Sequence, residues 1–192
     1  MNAPSIPRTL AALVLVNAVA ALLLLPSVNG FATASGTPAR GALLAGLWGS
    51  VLFSPVAALI KAAVFTAVVW AVAALWDTPI PIGAALQPAL VAEVALAVGG
   101  PWAGLVLLAR GGATSAADLA VPTGIDAFWS LPTGWPTIVA EQFGLFHLLW
   151  AVVLAMLLQR FFRRSRSAMI AAVASCWLTS LGGALIRANL IA

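Results

Sequence analysis

The sequence predicts an all-α polytopic membrane helix bundle, with about five transmembrane helices and one or two interfacial or re-entrant helices, in a single domain over residues 1–192. Composition is the first reason: 63% of the residues are hydrophobic and only 7% are charged, whereas soluble domains have about 25% charged residues. The second is that the apolar residues form long runs, and about 20 such residues cross a bilayer core. The third is a group of arginines at the end of one run.

The first predicted span runs from Thr9 to Val28, and Pro26 is expected to end it, because proline breaks the helical hydrogen-bond ladder. A loop rich in Gly, Ser, Thr and Pro is expected over Asn29–Arg40. Arg8 and the apolar run after it also fit a signal peptide, with Ala32–Ala34 as its cleavage site. We expect an uncleaved first span.

The next apolar stretch, Gly41–Trp76, is too long for one straight span. Pro55 divides it. We interpret Ala42–Phe53 as a short interfacial or re-entrant helix and Val56–Leu75 as the second span. A single long, tilted helix that is kinked at Pro55 is the alternative.

A tight turn leads to the third predicted span, Ile82–Ala109, which the Gly99–Pro101 step is able to break into two pieces. The only substantial loop is predicted at Gly111–Pro136, where prolines and tryptophans favour a segment on the membrane surface. The fourth and fifth spans are predicted at Ile138–Phe161 and Ala168–Leu190.

The arginines after the fourth span orient the whole chain. They are Arg160, Arg163, Arg164 and Arg166. Basic residues are enriched in cytoplasmic loops, so five alternating spans place the N-terminus in the cytoplasm and the C-terminus in the periplasm. We therefore expect a multi-pass protein of the bacterial inner membrane. The same cluster is a candidate contact for anionic lipid headgroups or for an acidic surface of a partner.

Lys61 and Glu93 are the two charged residues deepest in the predicted spans. A bare charge at the bilayer centre costs about 3 kcal/mol or more, so each needs a partner or water. The helical rise places Lys61 roughly 22 Å and Glu93 roughly 18 Å from the turn that joins their spans. The sequence therefore predicts an intramembrane pair. It is either a structural pair or part of a proton or ion pathway, unless Lys61 extends to the interface instead.

His147 is the only histidine and lies near the start of the fourth span. It is a candidate axial ligand for a haem or chlorophyll-type cofactor, which needs one imidazole. A hydrogen bond to another helix is the alternative, and we expect no cofactor. With Cys176 as the only cysteine, the chain has no internal disulfide and no structural zinc site.

No phosphate loop, nucleotide fingerprint, metal motif or activated nucleophile is present, so we expect neither an enzyme nor a nucleic-acid partner. Small residues are the more informative pattern. Gly46-x-x-Gly49 and Gly100-x-x-x-Gly104 allow helices to approach closely. These faces favour a compact bundle or docking against other membrane helices.

From about Ser54 to the C-terminus, the order of features resembles bacterial members of the Yip1 family. The resemblance rests on the proline-containing entry Gln87–Leu90 and on Phe143–Trp150, which leads to an arginine-rich turn and a last span. It implies a five-span membrane protein with a cytoplasmic N-terminus and no catalytic residues, which works through helix contacts.

Two hypotheses for function follow. The first is a non-catalytic Yip1-like membrane protein that acts as a scaffold or accessory subunit of a larger assembly, with membrane lipids and other integral membrane subunits as partners. The second is a small transporter or channel that uses the polar site at Lys61 and Glu93.

Overall fold

A computed structural model of the chain describes residues 5–35, 37–78, 80–113, 121, 135–163 and 165–191. These residues form seven α-helices and one 3-10 turn, and they contain no strand. The helices are α1 (Ile6–Ser35), α2 (Thr37–Leu75), α3 (Leu86–Ala97), α4 (Gly99–Ala109), α5 (Trp135–Gln142), α6 (Leu145–Leu158) and α7 (Arg166–Ile191), and the 3-10 turn is Ile82–Ala85.

Four stretches are long and apolar enough to cross a membrane. They are Ile6–Thr33, Gly41–Leu75, Gly83–Ala109 and Arg166–Leu190. The pair α5 and α6 gives a fifth if the two helices are counted as one span bent by 46°. The predicted all-α membrane bundle is therefore confirmed, with four or five candidate spans among the described residues.

The predicted end of the first span is wrong. Pro26 lies inside α1, which continues to Ser35, and α2 begins at Thr37, so the expected loop at Asn29–Arg40 is largely helical. Proline removes one backbone donor, but apolar surroundings favour keeping all the other intrahelical bonds. Polar residues also fit within the helix, since the Thr33 hydroxyl donates to the Asn29 carbonyl oxygen at 2.8 Å.

The division of the second apolar stretch is also wrong. α2 is a single helix of 39 residues that contains Pro55, so Ala42–Phe53 is not a separate interfacial helix. The alternative prediction, one long helix that passes through Pro55, is confirmed as far as the continuity of the helix is concerned. Nearby hydroxyls satisfy local backbone carbonyls, because Ser54 Oγ donates to Val51 O at 3.1 Å and Ser50 Oγ donates to Leu47 O at 2.6 Å.

Left-handed residues end α2 and α4. After α2, Asp77 has φ 48°, and the Thr78 amide donates to the Ala73 carbonyl at 2.9 Å. After α4, Gly111 has φ 85°, and the Gly112 amide donates to the Leu107 carbonyl at 2.8 Å. Both patterns are Schellman caps, which satisfy the last carbonyls of a helix. The tight turn expected after Trp76 is confirmed.

The third span lies within its predicted bounds. Only Val98 separates α3 from α4, so the Gly99–Pro101 step makes a one-residue interruption within a single apolar stretch, Gly83–Ala109. The fifth span matches α7 closely. The expected surface segment at Gly111–Pro136 lies mostly outside the described residues.

The fourth span is not continuous as predicted. α5 ends at Gln142, and α6 begins after Gly144, whose extended backbone (φ −68°, ψ 157°) makes the break. α7 supports the break from the side. The Phe143 and Trp177 rings meet edge to face with their centroids 4.9 Å apart. Trp177 Nε1 donates to the backbone carbonyl oxygen of Gln142 at 3.1 Å.

Two contacts fix how the spans align. Phe65, ten residues before the end of α2, contacts Cys176, ten residues after the start of α7. Glu93, seven residues after the start of α3, contacts Trp150, eight residues before the end of α6. These matching distances indicate that α2 is antiparallel to α7 and that α3 is antiparallel to α6. The turn at Asp77 and the arginine turn lie at the same end of the bundle, which we call the Asp77 end. We call the opposite end, where Arg187 lies, the Arg187 end.

α1 packs on α4 through glycines. A Cβ placed on Gly104 would lie 2.5 Å from Leu23 Cβ, and one on Gly100 would lie 2.9 Å from Ala20 Cβ. The close approach predicted for the Gly100-x-x-x-Gly104 motif is confirmed. Gly46 and Gly49 have nothing within 4 Å of such a Cβ, so they mediate no close approach within the described chain.

Candidate functional site

The predicted pair of Lys61 and Glu93 is present. Lys61 Nζ of α2 lies 2.8 Å from Glu93 Oε2 of α3. The two partners differ in burial, since the Glu93 side chain is 7% exposed and the Lys61 side chain is 41% exposed. A charge in an apolar bundle requires an opposite charge or hydrogen bonds, and these two residues supply both to each other.

Trp150 completes the site from a third helix. Its indole Nε1 donates to Glu93 Oε1 at 3.1 Å, so both carboxylate oxygens of Glu93 accept a hydrogen bond. Trp150 is 2% exposed and also contacts the Phe65 ring at 5.3 Å between centroids. The network of Lys61, Glu93 and Trp150 therefore joins α2, α3 and α6 inside the bundle core.

Phe65 links this network to α7. Lys61 Nζ lies 5.9 Å from the centre of the Phe65 ring, one helical turn further along α2. The Phe65 carbonyl faces the buried thiol of Cys176 at 3.8 Å. Cys176 is thus a small buried side chain at a contact between helices, as expected for a lone cysteine in an apolar run.

A cavity of about 400 Å³ opens beside the ion pair toward the Arg187 end. Its apolar wall comes from Ile60, Val64, Phe65 and Leu96, and Gly183 and Ala184 of α7 border it opposite. Its polar lining combines residues of three regions of the chain: Lys61, Gln142, His147, Thr179, Ser180 and Arg187. The bundle therefore holds a partly polar cavity next to its one intramembrane ion pair among the described residues.

Two polar groups in this lining have no partner among the described residues. Gln142 is 6% exposed, yet its Oε1 atom has no hydrogen-bond partner in the described part of the chain. Arg187 is exposed and forms no ion pair with any described residue. A buried acceptor without a donor costs about 1–3 kcal/mol, so Gln142 Oε1 marks a place where a donor group is favoured.

His147 is half-buried and lines the cavity. The backbone of Glu141 hydrogen-bonds its imidazole. No group of three or more His, Cys, Asp or Glu side chains within the described ranges is placed to hold a metal ion. The role of His147 as a cofactor ligand stays a prediction.

The arginine cluster lies at the Asp77 end. Arg160, Arg163 and Arg166 are exposed, and Arg164 lies outside the described residues. The Arg160 guanidinium covers the Phe161 ring at 4.7 Å. Arg166 begins α7, where a positive charge is unfavourable with the helix dipole.

An apolar groove of about 330 Å³ lies between α6 and α7, above the arginine turn. Leu148, Ala151 and Ala155 line its α6 side, and its α7 side extends from Met169 to Trp177. The groove and the arginines together have the apolar and basic character of a phospholipid site. The lipid contact of the arginine cluster stays a prediction.

Sequence reasoning found the ion pair but missed Trp150 and Gln142 as members of the site. Both lie in apolar or interfacial runs where their side chains look like membrane anchors. The spacing within one helix does not show which neighbouring helix a side chain meets, and no local signal in the sequence identifies these two contacts.

The chain was compared with models of known families, with curated proteins and with solved structures, and it matches none of them.

Proposed function

We propose that this chain is a non-catalytic integral membrane protein of the Yip1-like type, which acts as a scaffold or accessory subunit of a larger membrane assembly. One observation carries the proposal. The deepest charged residues form a closed network in which Lys61 and Trp150 engage both oxygens of Glu93. A carboxylate engaged in this way ties three helices together, which is a structural role.

The outer faces of the bundle support the same proposal. Large apolar side chains are exposed along α2 and α6, for example Leu52 (73%), Phe53 (71%) and Met156 (70%). These faces suit lipid or other membrane helices, and little of the described chain lies outside the helices. The proposed partners are therefore other integral membrane subunits and anionic lipids.

A test purifies the protein in mild detergent after photo-crosslinking inside its native membrane. A crosslinking residue at Leu52 or Phe53 on the outer face of α2 should capture a membrane protein of fixed identity and stoichiometry. The same residue at Val69, which is 1% exposed, is the matched control and should capture nothing outside the chain. Capture of lipid alone from every exposed position would contradict the subunit proposal.

The second candidate function is a small transporter or channel. It is favoured by one observation, which is that the Lys61 side chain is 41% exposed and lines the cavity. If this function is correct, Glu93→Gln should abolish solute movement in proteoliposomes while the protein still folds and assembles. If the scaffold function is correct, Glu93→Gln should alter stability and leave membrane permeability at the level of protein-free vesicles.

A further inference from the structure

The cavity beside Lys61 has a lining that the scaffold function does not use. It holds two cationic side chains, Lys61 and Arg187, and the hydroxyl of Ser180. Only one of the three donors of the Lys61 ammonium is engaged by a described residue, at Glu93 Oε2. Glu93 offsets the charge of Lys61, so Arg187 leaves the lining with an excess of positive charge that suits an anion.

The chemistry of these donors indicates which anion fits. Lysine binds phosphate as a point charge, and arginine presents a planar fork of donors. A phosphate ester offers several strong acceptor oxygens, enough for the ammonium, the guanidinium and one hydroxyl together. The apolar wall of Ile60, Val64 and Phe65 suits a carbon skeleton attached to that phosphate.

Gln142 adds a second requirement. Its side chain lines the cavity, is more than nine-tenths buried, and has its Oε1 atom without a partner among the described residues. That oxygen accepts a hydrogen bond and cannot bind the anion itself. A ligand that carries a hydroxyl or ammonium group near its phosphate would supply the donor that this oxygen lacks.

We propose that this cavity binds a phosphate ester that bears a neighbouring hydroxyl or ammonium group, with Lys61 and Arg187 on the phosphate and Gln142 accepting from the donor. The chemistry is shared by two sources: a free metabolite such as a polyol phosphate, and the headgroup of a phospholipid such as phosphatidylglycerol. The cavity volume of about 400 Å³ lies within the range of small-molecule sites.

The test uses the full chain in nanodiscs made of phosphatidylcholine only. Glycerol 3-phosphate, added to the solution, is the free probe, and its binding is followed by calorimetry. Phosphatidylglycerol, mixed into a second set of nanodiscs, is the lipid probe, and native mass spectrometry counts the retained molecules. Saturable binding of the first identifies a free solute, and retention of the second that Gly183→Leu abolishes identifies a lipid headgroup in the cavity.

The first variant changes the charge. Arg187→Gln should weaken binding of the successful probe by about tenfold, since it removes a charge-assisted hydrogen bond. Arg187→Lys should restore most of that loss. Arg8→Gln, the same substitution at an exposed arginine of the Asp77 end, is the control and should leave this binding unchanged.

The second variant fills the cavity. Gly183 lines it, and a Cβ at this position has nothing within 4 Å, so Gly183→Leu should fold and should exclude the ligand. Gly46→Leu is the matched control, because Gly46 has equally open surroundings and lies outside the cavity. We expect at least a tenfold loss for the first variant and no change for the second.

The third variant tests the donor requirement. The natural chain should bind glycerol 3-phosphate about fivefold more tightly than methyl phosphate, which lacks the hydroxyl groups. Gln142→Leu should remove that preference while both compounds still bind. The proposal is overturned if neither glycerol 3-phosphate nor phosphatidylglycerol binds, or if Arg187→Gln and Gly183→Leu, folded as their controls, bind as tightly as the natural chain.

Discussion

Trp150 of α6 donates a hydrogen bond to Glu93 of α3, 57 residues away in the sequence. Glu93 is the most buried acidic side chain among the described residues, and with this bond both of its carboxylate oxygens have a donor. This contact explains how an ionised carboxylate is accommodated at the centre of an apolar bundle. Lys61 satisfies one oxygen and Trp150 the other. The two donors come from different helices, so the carboxylate holds both helices in register.

The ion pair should respond unequally to loss of its two members. Lys61→Met leaves Glu93, at 7% exposure, without a countercharge, and should cost about 3 kcal/mol of the free energy of unfolding. Glu93→Gln should cost less, because Lys61 opens to the cavity and glutamine still accepts from Trp150. The measurement is unfolding by SDS in mixed micelles.

The double variant Lys61→Met/Glu93→Gln is the control for that asymmetry. It removes both charges, so its free energy of unfolding should exceed that of Lys61→Met alone. The two residues are not coupled in the membrane if both single variants have the same free energy of unfolding and the loss in the double variant equals the sum of the two single losses.

Replacing Trp150 tests the third member of the network. Trp150→Phe keeps a ring against Phe65 but removes the donor to Glu93, so it should lower the free energy of unfolding by about 1.5–3 kcal/mol. Trp102→Phe is the matched control, since Trp102 is 48% exposed. The measurement is again SDS unfolding. If both variants lose a similar free energy of unfolding, the hydrogen bond from Trp150 to Glu93 does not stabilise the bundle.

Gly104 should tolerate no side chain. A Cβ there would lie 2.5 Å from Leu23 Cβ and 3.3 Å from the Leu23 backbone, which is too close without a helix shift. Gly49→Ala is the control, because it gains the same helix propensity in open surroundings. The difference in free energy of unfolding between Gly104→Ala and Gly49→Ala should therefore report the steric cost alone, about 1–3 kcal/mol. Equal effects would show that α1 and α4 are not packed closely.

The arginine cluster is predicted to retain anionic lipid. Each basic group near an anionic leaflet contributes about 1 kcal/mol, so Arg163→Gln with Arg166→Gln should reduce retained anionic lipid in native mass spectra. The difference between the natural chain and this variant should be largest at low ionic strength and should shrink as salt screens the arginines. Arg8→Gln with Arg110→Gln is the charge-matched control. Unchanged lipid retention at every salt concentration would leave the cluster as an orientation signal only.

The topology is predicted to place the N-terminus and Ser165 in the cytoplasm and Ser115 in the periplasm. Reporter tags at the three positions should give opposite signals for Ser115 and Ser165. If the tags at Ser115 and Ser165 report the same side, the chain does not cross the membrane once between them. In that case α5 and α6 form a re-entrant segment.

The sequence by itself determined the class of this protein and its central ion pair. A charge deep inside a span needs a partner or water, and Lys61 and Glu93 are the two deepest charges and lie at matching depth. The sequence also predicted the close approach at Gly104, although the same reasoning failed for Gly46 and Gly49, since a glycine motif does not show which face of its helix meets a neighbour.

Tertiary structure decided the rest, because those features depend on contacts between helices rather than on local propensity. Proline rules predicted breaks at Pro26 and Pro55, but both helices continue, since apolar surroundings penalise every unpaired backbone group. The break at Gly144, between α5 and α6, is held by a hydrogen bond from Trp177 of α7 to the Gln142 backbone carbonyl. Trp150, Gln142 and Arg187 join the site for the same reason: packing brings together residues that are far apart in the chain.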